Sequence, residues 1–327
     1  MTGLLLFLLY LYSVINHYPM RVFLKLAMSF VAVALLAAGC GKNRGKIDLS
    51  EYISDIEFGT DYVSTDPSDD FKLMSFNVRY QNSSDNSSGN GWAKRREGVY
   101  EMLKTERPLL MGVQECLAEQ RHDIVVNVPV YDAIGVGRDD GNEKGEMMAI
   151  FYLKDSVTIV NWGTFWLSDS PDRVSRGWDA ACNRTCTWAR VRVKRLGKEI
   201  MYFNTHLDHK GTVARSESVK LIVRKMGELN PDGLPCVLTA DFNSTEDDSI
   251  FAPLHLMMKS ARKTAPVSDS YATYNAFSNS ARGSSSIIDH IFYSVGLNAK
   301  EYKTVRDGWK NIDYISDHYP IYAIFTF

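Results

Sequence analysis

Carboxylate, amide and imidazole side chains recur in this chain directly after short apolar runs. In chain order the groups are Phe76-Asn77, Gln114-Glu115, Asn204-Thr205-His206, Asp241-Phe242-Asn243, Ile288-Asp289-His290 and Ser316-Asp317-His318. Charged and polar groups are costly beside buried strands unless they are compensated. Their recurrence therefore indicates one cleft, in which a metal ion or the groups themselves provide the compensation.

The residue types in this set suit a hard divalent cation and proton transfer. The carboxylates of Glu115 and Asp241 and the amide oxygens of Asn77 and Asn243 are ligands that Mg²⁺ or Mn²⁺ prefers, and they do not suit a thiolate-type zinc site. Two imidazoles complete the set, at His206 and His318. An imidazole can donate a hydrogen bond to a phosphate oxygen or to a leaving group.

Short strands must position these groups. Five runs rich in apolar and β-favouring residues are predicted to be buried strands: Leu73–Phe76, Leu110–Val113, Ile200–Phe203, Pro235–Ala240 and Ile287–Ile288. Apolar residues at helical spacing predict one helix over Trp92–Lys104 and another within His209–Gly233. Polar composition predicts loops at Gln81–Gly91 and Gly135–Glu146. The alternation favours two sheets packed face to face with helices outside.

In their order and residue types, these motifs resemble those of the endonuclease/exonuclease/phosphatase family, which are metal-dependent phosphoesterases. The resemblance extends from about Phe71 to Phe327. It implies an α/β fold, a four-layer α-β-β-α sandwich of two packed mixed β-sheets with helices outside. It also implies Mg²⁺ or Mn²⁺ as cofactor and a phosphoester as substrate. Two further segments, Gly163–Ser168 and Gly177–Ala181, look like those of a bacterial branch of hydrolases.

The resemblance implies a role for each acidic and amide group. Glu115 is the principal metal ligand, helped by Asn77 and Asp317. Asp241 orients or deprotonates the attacking water. Asn243 holds the nucleophile or a phosphate oxygen. Whether one metal or two operate stays open, because the sequence does not place the ligands of a second ion.

The resemblance also implies roles for the basic groups. His318 contacts the phosphoryl group, and Asp289 fixes its tautomer. His206 donates to the same phosphate or to its leaving oxygen. Arg184 lies where family members often have a phosphate-facing polar residue, and a guanidinium binds phosphate bidentately.

The overall charge argues against a broad nucleic-acid-binding face. The 327 residues include 37 basic and 39 acidic side chains, a net charge of −2. Binding long nucleic acid mainly through its backbone requires clustered Lys and Arg. A local basic groove is still compatible with this composition.

The N-terminal residues 1–40 predict export. A cationic segment beginning at Met20 precedes the apolar run Leu26–Ala38, and the chain then reaches Gly39 and Cys40. This layout resembles a bacterial lipobox, with Cys40 as the lipidated residue and the start codon at Met20. The protein is then expected to be exported and held at a bacterial membrane by lipid. The alternative is a signal anchor formed by Leu4–Ile15 and Leu26–Ala38.

Domain organisation follows from the composition after this segment. Residues 41–70 have scattered polar residues and little periodicity, which predicts a tether. The catalytic domain is predicted over residues 71–327. The sequence predicts no protein partner.

Four cysteines follow Cys40. Cys116 and Cys236 lie in apolar strand surroundings and are predicted to be buried thiols. Cys182 and Cys186 are predicted in a surface segment, where a disulfide is an open alternative that spacing alone does not establish. The roles of four further residues stay open between substrate contact and packing: Arg138, Trp166, Trp178 and His209.

Three classes of function follow from these residues. An exported phosphodiesterase or nuclease is the preferred hypothesis. The alternative is a phosphatase or phosphodiesterase for a small or lipid-linked phosphoester, of the inositol-phosphate or sphingomyelin type. A non-catalytic binding protein is disfavoured, because every motif residue is present.

Overall fold

The structure is a computed structural model that describes residues 69–278 and 287–327. The chain divides into two units, Met1–Asp66 and Pro67–Phe327, and every described residue belongs to the second. The predicted signal segment with Cys40 lies outside the described residues, as does the predicted tether apart from its last two residues. Within the described ranges no helix is both long and apolar enough to cross a membrane.

The secondary structure alternates strands with helices. The strands are β1 (Phe71–Asn77), β2 (Leu110–Cys116), β3 (Tyr131–Ile134), β4 (Met147–Leu153), β5 (Val157–Trp166), β6 (Thr185–Val193), β7 (Lys198–His206), β8 (Cys236–Asp241), β9 (Met258–Ser260), β10 (Val267–Ser268), β11 (Asp289–Ser294), β12 (Asn298–Thr304) and β13 (Ile321–Thr326). The helices are α1 (Ser83–Ser87), α2 (Trp92–Glu106), α3 (Ala118–Asn127), α4 (Thr212–Leu229), α5 (Ala252–His255) and α6 (Ala261–Thr264), with a 3₁₀ turn at Ser249–Phe251.

These strands form two mixed sheets. The described part of the first sheet has seven strands in the order β10-β12-β13-β1-β2-β4-β3, and that of the second has six in the order β5-β6-β7-β8-β11-β9. β1 pairs parallel with β2, and β7 pairs parallel with β8. The carboxyl ends of each parallel pair therefore lie at one edge of their sheet.

Three apolar cores separate four layers. The central core joins inner faces of the two sheets, for example Leu73 and Leu110 with Tyr202 and Val237. A second core packs the other face of β1 and β2 against α2 and α3, and a third packs β7, β8 and β11 against α4. Adjacent β1 residues point into different cores because side chains alternate along a strand. The predicted two-sheet sandwich with outer helices is confirmed.

Two predicted boundaries were wrong. The strand predicted at Ile287–Ile288 instead runs from Asp289 to Ser294, because the polar Asp289 and His290 are buried and hydrogen-bonded and so extend the strand. The loop predicted over Gln81–Gly91 contains the short helix α1. Its N-cap is Asn82, whose side chain accepts a hydrogen bond from the amide of Asp85.

The cysteines are all free thiols in the described part of the chain. Cys116 and Cys236 are buried, as predicted. Cys186 is also buried, within β6, so its predicted surface position was wrong. Its apolar side chain packs in the core of the second sheet, beneath α4. Cys182 is partly exposed and lies 3.8 Å from Asp208 Oδ2.

Candidate active site

Asn77, at the end of β1, joins the two central carboxylates. Its Nδ2 donates to Glu115 Oε1 over 3.0 Å and to Asp241 Oδ2 over 2.9 Å. Its Oδ1 accepts from the backbone amide of Arg79 over 3.0 Å. The amide nitrogen, which is not a metal donor, therefore faces the acids. Asn77 brings a residue of the first sheet against Asp241 of the second.

The backbone of Glu115 is shaped to present its carboxylate. Its φ is 57°, a left-handed conformation that costs roughly 1–2 kcal/mol for a residue with a Cβ. The pairing of β2 with β4 is irregular between Val113 and Cys116. Glu115 Oε2 accepts from the amide of Tyr80 over 3.2 Å, which helps to hold the carboxylate toward the cleft. Strain of this kind is typical of functional sites.

A second left-handed residue, Asn243, follows β8. Its amide donates to Asp241 Oδ1 over 2.9 Å in a tight turn, and its φ is 50°. Its side-chain Nδ2 contacts His206 Nε2 at 2.9 Å and donates to the Leu207 carbonyl over 3.0 Å. His206 Nε2 therefore accepts, and the imidazole proton resides on Nδ1. Among the described residues, that Nδ1 has no hydrogen-bond partner.

Burial lowers the pKa of His206 well below its usual value, and the positive charge of Arg184 lowers it further. His206 Nε2 lies 3.4 Å from Asp241 Oδ2, a contact that would favour the charged ring. The pKa of that carboxylate is itself raised, so the attraction is weakened, and the neutral ring prevails. His206 is a neutral hydrogen-bond donor through Nδ1.

His318 and Asp289 form a buried pair. His318 Nδ1 lies 2.8 Å from Asp289 Oδ2, and His318 Nε2 lies 3.7 Å from Asp241 Oδ2. Although burial opposes the charged ring, Asp289 and then Asp241 raise the pKa of His318 well above its usual value. The imidazole is therefore charged at neutral pH, with Nε2 directed to the same carboxylate as Asn77.

Two buried carboxylates of the site, Asp241 and Asp317, have raised pKa values. Burial, and after it the neighbouring Asp289 carboxylate, raise the pKa of Asp241 to about 7. Burial also raises the pKa of Asp317, and the charge of Glu115 adds to the shift. A divalent cation between such groups would relieve both effects. The hard oxygen donors thus fit Mg²⁺ or Mn²⁺ in type and in charge.

Two neighbouring groups of side chains fit a cation. Asp241, Asp289 and His318 offer ligand atoms within 4.8 Å of one another. His318 and Asp289, however, already hydrogen-bond to each other. Glu115 and Asp317, two of the three predicted ligands, form the second group and lie 4.0 and 3.6 Å from Arg79 Nη1. The second pair fits a cation better, because the charged His318 ring of the first group has no free lone pair for a metal.

Arg184 lies at the same sheet edge, one residue before β6. Its Nε donates to Asp208 Oδ2 over 3.3 Å, and its Nη2 lies 3.1 Å from His209 Nδ1. The side chain is 6% exposed, and within the described ranges its Nη1 has no hydrogen-bond partner. Nearby, Arg138 pairs with Glu146 at 2.7 Å, and its carbonyl accepts from Trp166 Nε1. Each guanidinium is therefore paired with a carboxylate, Arg184 with Asp208 and Arg138 with Glu146.

Comparison with known proteins identifies the family of this chain. The chain matches the Endonuclease/Exonuclease/phosphatase family over residues 74–318. It belongs to that family. The match begins within β1 and ends at His318, so it contains every predicted catalytic and metal-binding residue.

Two bacterial structures of this family resemble the chain over most of its length. A mannosyl-6-phosphatase from Bacteroides thetaiotaomicron is 37% identical, with a TM-score of 0.74, over 79% of this chain and 100% of the other. An endonuclease/exonuclease/phosphatase family protein from the same species is 36% identical, with a TM-score of 0.75, over 78% and 97%.

More distant matches carry less information. TDP2 from D. rerio, complexed with a single-stranded DNA product, is 16% identical with a TM-score of 0.63 over 80% of this chain and 100% of the other, which shows the fold alone. An uncharacterised protein of Acanthamoeba polyphaga mimivirus is 25% identical over 170 residues, half of this chain. The match spans 63% of that viral protein's length.

Two motif residues of this family member serve the scaffold. Gln114 Nε2 donates to Asn204 Oδ1 over 2.7 Å, and Asn204 Nδ2 donates to the carbonyls of Val113 and Ala149. All of these groups are buried between the sheets. The network fixes the first sheet against the second directly behind the site, where removing one partner would leave an unsatisfied group.

Sequence reasoning missed two arginines near the acids. Arg79 follows the first motif by two residues, and its φ is 57°. Arg95 is almost fully buried in α2 and donates to four carbonyls: Val78, Arg79, Asn90 and Ile315. It thereby ties the turn after β1 to the segment before Asp317 and His318. Its position between Lys94 and Arg96 gave no signal, since exposed basic runs look the same.

Proposed function

We propose that this protein is a divalent-metal-dependent phosphoester hydrolase whose substrate is a small phosphomonoester, in particular a sugar phosphate. The observation that carries the proposal is the convergence of Asp241 with the His318–Asp289 pair, Asn77 and His206 at one edge of the two sheets. These groups can position a water molecule and bind a phosphoryl group. The 37% identity to a mannosyl-6-phosphatase supports the substrate class.

Glu115 and Asp317 would hold the cation, which we propose is Mg²⁺ or Mn²⁺. Both offer carboxylate oxygens. The pKa values of Asp317 and of Asp241 in the same site are raised, and a cation would relieve the repulsion that contributes to these shifts. When bound, the ion would neutralise phosphoryl charge and make an attacking water more acidic. Asn77 positions the Glu115 and Asp241 carboxylates through its Nδ2.

Asp241 is the general base of this proposal. It is buried, and a pKa of about 7 suits proton abstraction near neutral pH. Its two oxygens are held by Asn77 Nδ2 and by the amide of Asn243, so the carboxylate has one orientation. A water molecule within hydrogen-bond reach of Asp241 would lie beside the charged His318 ring.

Hydrogen-bond donors surround the place where phosphoryl charge develops. The His318 imidazolium donates through Nε2, since Asp289 occupies Nδ1. His206 donates from Nδ1 to the phosphoryl group or to the leaving oxygen. Arg184 would donate to the phosphate through Nη1, which has no hydrogen-bond partner among the described residues, while its Nε is bonded to Asp208. Donors fixed in advance by buried partners stabilise a transition state without reorganising.

The nuclease hypothesis remains the second candidate. Its support from TDP2 is limited to the shared fold, since the identity is 16%. A net charge of −2 argues against binding a polynucleotide mainly through a broad cationic surface. We therefore place the monoester first, reversing the order that the sequence favoured.

A substrate comparison tests this choice. We expect kcat/KM for a hexose 6-phosphate to exceed that for bis-p-nitrophenyl phosphate and for single-stranded DNA by about a hundredfold, because the proposed cation and the charged His318 ring favour a dianion. The measurements, in Mg²⁺ and in Mn²⁺, are phosphate release from the sugar phosphate, p-nitrophenol release from the diester and shortening of the DNA. A preference for the diester or for DNA would restore the nuclease assignment.

We further propose that the protein is exported and anchored through lipid on Cys40. The support is the sequence alone, with its cationic segment, apolar run and cysteine. Growth of the native host with a labelled fatty acid should label the wild type and leave Cys40→Ser unlabelled. An unlabelled wild type whose N-terminus precedes Met20 would contradict the proposal and favour the signal-anchor alternative.

A further inference from the structure

The Arg79 guanidinium lies beside the two acids assigned to the metal. Its Nη1 is 3.6 Å from Asp317 Oδ2 and 4.0 Å from Glu115 Oε2. The side chain is 27% exposed, so it lines the cleft. A cation at the acids and this guanidinium would interact with the same two carboxylates.

A buried acid on the other side prevents the guanidinium from simply turning away. Asp85 receives two hydrogen bonds from Arg79, from Nε over 2.8 Å and from Nη2 over 3.2 Å. Asn82 Nδ2 also donates to Asp85, over 2.8 Å. This bidentate geometry fixes the guanidinium plane and leaves Nη1 directed at the cleft.

Hydrogen bonds fix the backbone of Arg79 as well as its side chain. Its amide donates to Asn77 Oδ1, and its carbonyl accepts from Arg95 Nη2 and from Gln120 Nε2, each over 3.0 Å. These three contacts maintain the left-handed φ of 57°. Because both its amide and its carbonyl are hydrogen-bonded, the backbone of Arg79 is fixed by the surrounding structure.

Arg79 stays charged in this setting. A guanidinium remains protonated in proteins, so Arg79 places a full positive charge beside Asp317 and Glu115. A permanent positive charge near both ligands opposes the binding of a second cation. The same charge reduces the repulsion between the acids when they hold no cation.

We propose that Arg79 is a fixed counter-cation of Glu115 and Asp317, which weakens their affinity for the divalent metal and stabilises the fold without it. This inference rests on the proposed function, because it uses the proposed ligand pair. Asp85 is the positioning residue, since it holds the guanidinium at these distances. The metal would then be readily exchangeable instead of permanently bound.

Metal binding to the full-length protein, treated with EDTA and dialysed, tests the inference. Titration with Mn²⁺ followed by calorimetry should give Arg79→Gln a dissociation constant at least about tenfold lower than that of the wild type. Arg79→Lys keeps the charge and should stay within about threefold of the wild type. Arg107→Gln is the matched control, because Arg107 is exposed, has a φ of 44° and lies at the C-terminus of α2.

Thermal unfolding gives a second readout. In EDTA, Arg79→Gln should melt below the wild type, and saturating Mn²⁺ should reduce the difference. If Arg79→Gln does not fold, Arg79→Asn removes the charge with a side chain that suits the left-handed backbone. We expect the same decrease in the Mn²⁺ dissociation constant for Arg79→Asn as for Arg79→Gln.

The outcomes separate the inference from the function on which it rests. Equal or weaker Mn²⁺ binding by the charge-removing variants would overturn the role of Arg79 and leave the metal site intact. Tightening by Arg79→Lys as large as that by Arg79→Gln would also overturn it. A wild type that binds no Mn²⁺ would overturn both the inference and the proposed metal dependence.

Discussion

Glu115→Gln should lower kcat for phosphoester hydrolysis by about a thousandfold at saturating Mg²⁺. The amide keeps the shape of the side chain and an oxygen that can accept from one of its two donors, Asn77 Nδ2 or the amide of Tyr80. It loses the negative charge that would hold the cation. The measurement is phosphate release under saturating substrate and metal.

Folding of this variant should be nearly intact. Losing one of the two accepted hydrogen bonds costs about 1 kcal/mol, and relief of repulsion with Asp317 offsets part of that cost. Glu119→Gln, an exposed acid on α3, is the matched control and should retain full activity. Near wild-type turnover by Glu115→Gln would remove Glu115 from the metal site.

His318→Ala should lower kcat by about a hundredfold to a thousandfold, because a charged donor to the phosphoryl group is lost. Asp289→Asn should cause a smaller loss through a poorly oriented ring. The exposed His122→Ala is the control for histidine removal. Circular dichroism should establish that each variant is folded before kcat is compared. Full activity of both variants would refute the assigned roles.

The pH profile distinguishes this role from a structural one. The Asp289 carboxylate raises the pKa of both His318 and Asp241, so replacing it by an amide should lower both. Activity requires Asp241 to be deprotonated and His318 to be protonated. The acidic and alkaline limbs of the kcat profile should therefore both move to lower pH in Asp289→Asn. A merely destabilised protein would lose activity without moving the limbs.

The sequence predicted the architecture well because strands and polar groups obey local rules. Buried strands appeared as apolar runs, and the groups at the carboxyl ends of β1, β2, β7 and β8 meet because parallel strands end at a common edge. Asp289 reaches the same edge from the opposite direction, at the start of the antiparallel β11, where it pairs with Asp241. Its buried polar side chain hid the true strand boundary.

The long-range hydrogen bonds could not be read from the sequence. Nothing local distinguishes the buried Arg95, which donates to Val78 and, across 220 residues of chain, to Ile315, from its exposed neighbour Lys94. Arg79 had a weak signal, its place just after the first motif, but its partner Asp85 lies in a segment predicted to be a loop. Such roles depend on burial and side-chain direction, which are fixed only by the packed fold.

Metal-dependent release of phosphate tests the central claim most directly. The wild-type protein is assayed with a hexose 6-phosphate in Mg²⁺, after removal of the metal by EDTA, and after Mg²⁺ is restored. We expect phosphate release in the first and third conditions and nearly none in the second, because the buried acids need the cation to bind and activate the phosphoryl group. Undiminished release after EDTA treatment, or no release under any of the three conditions, would contradict the account.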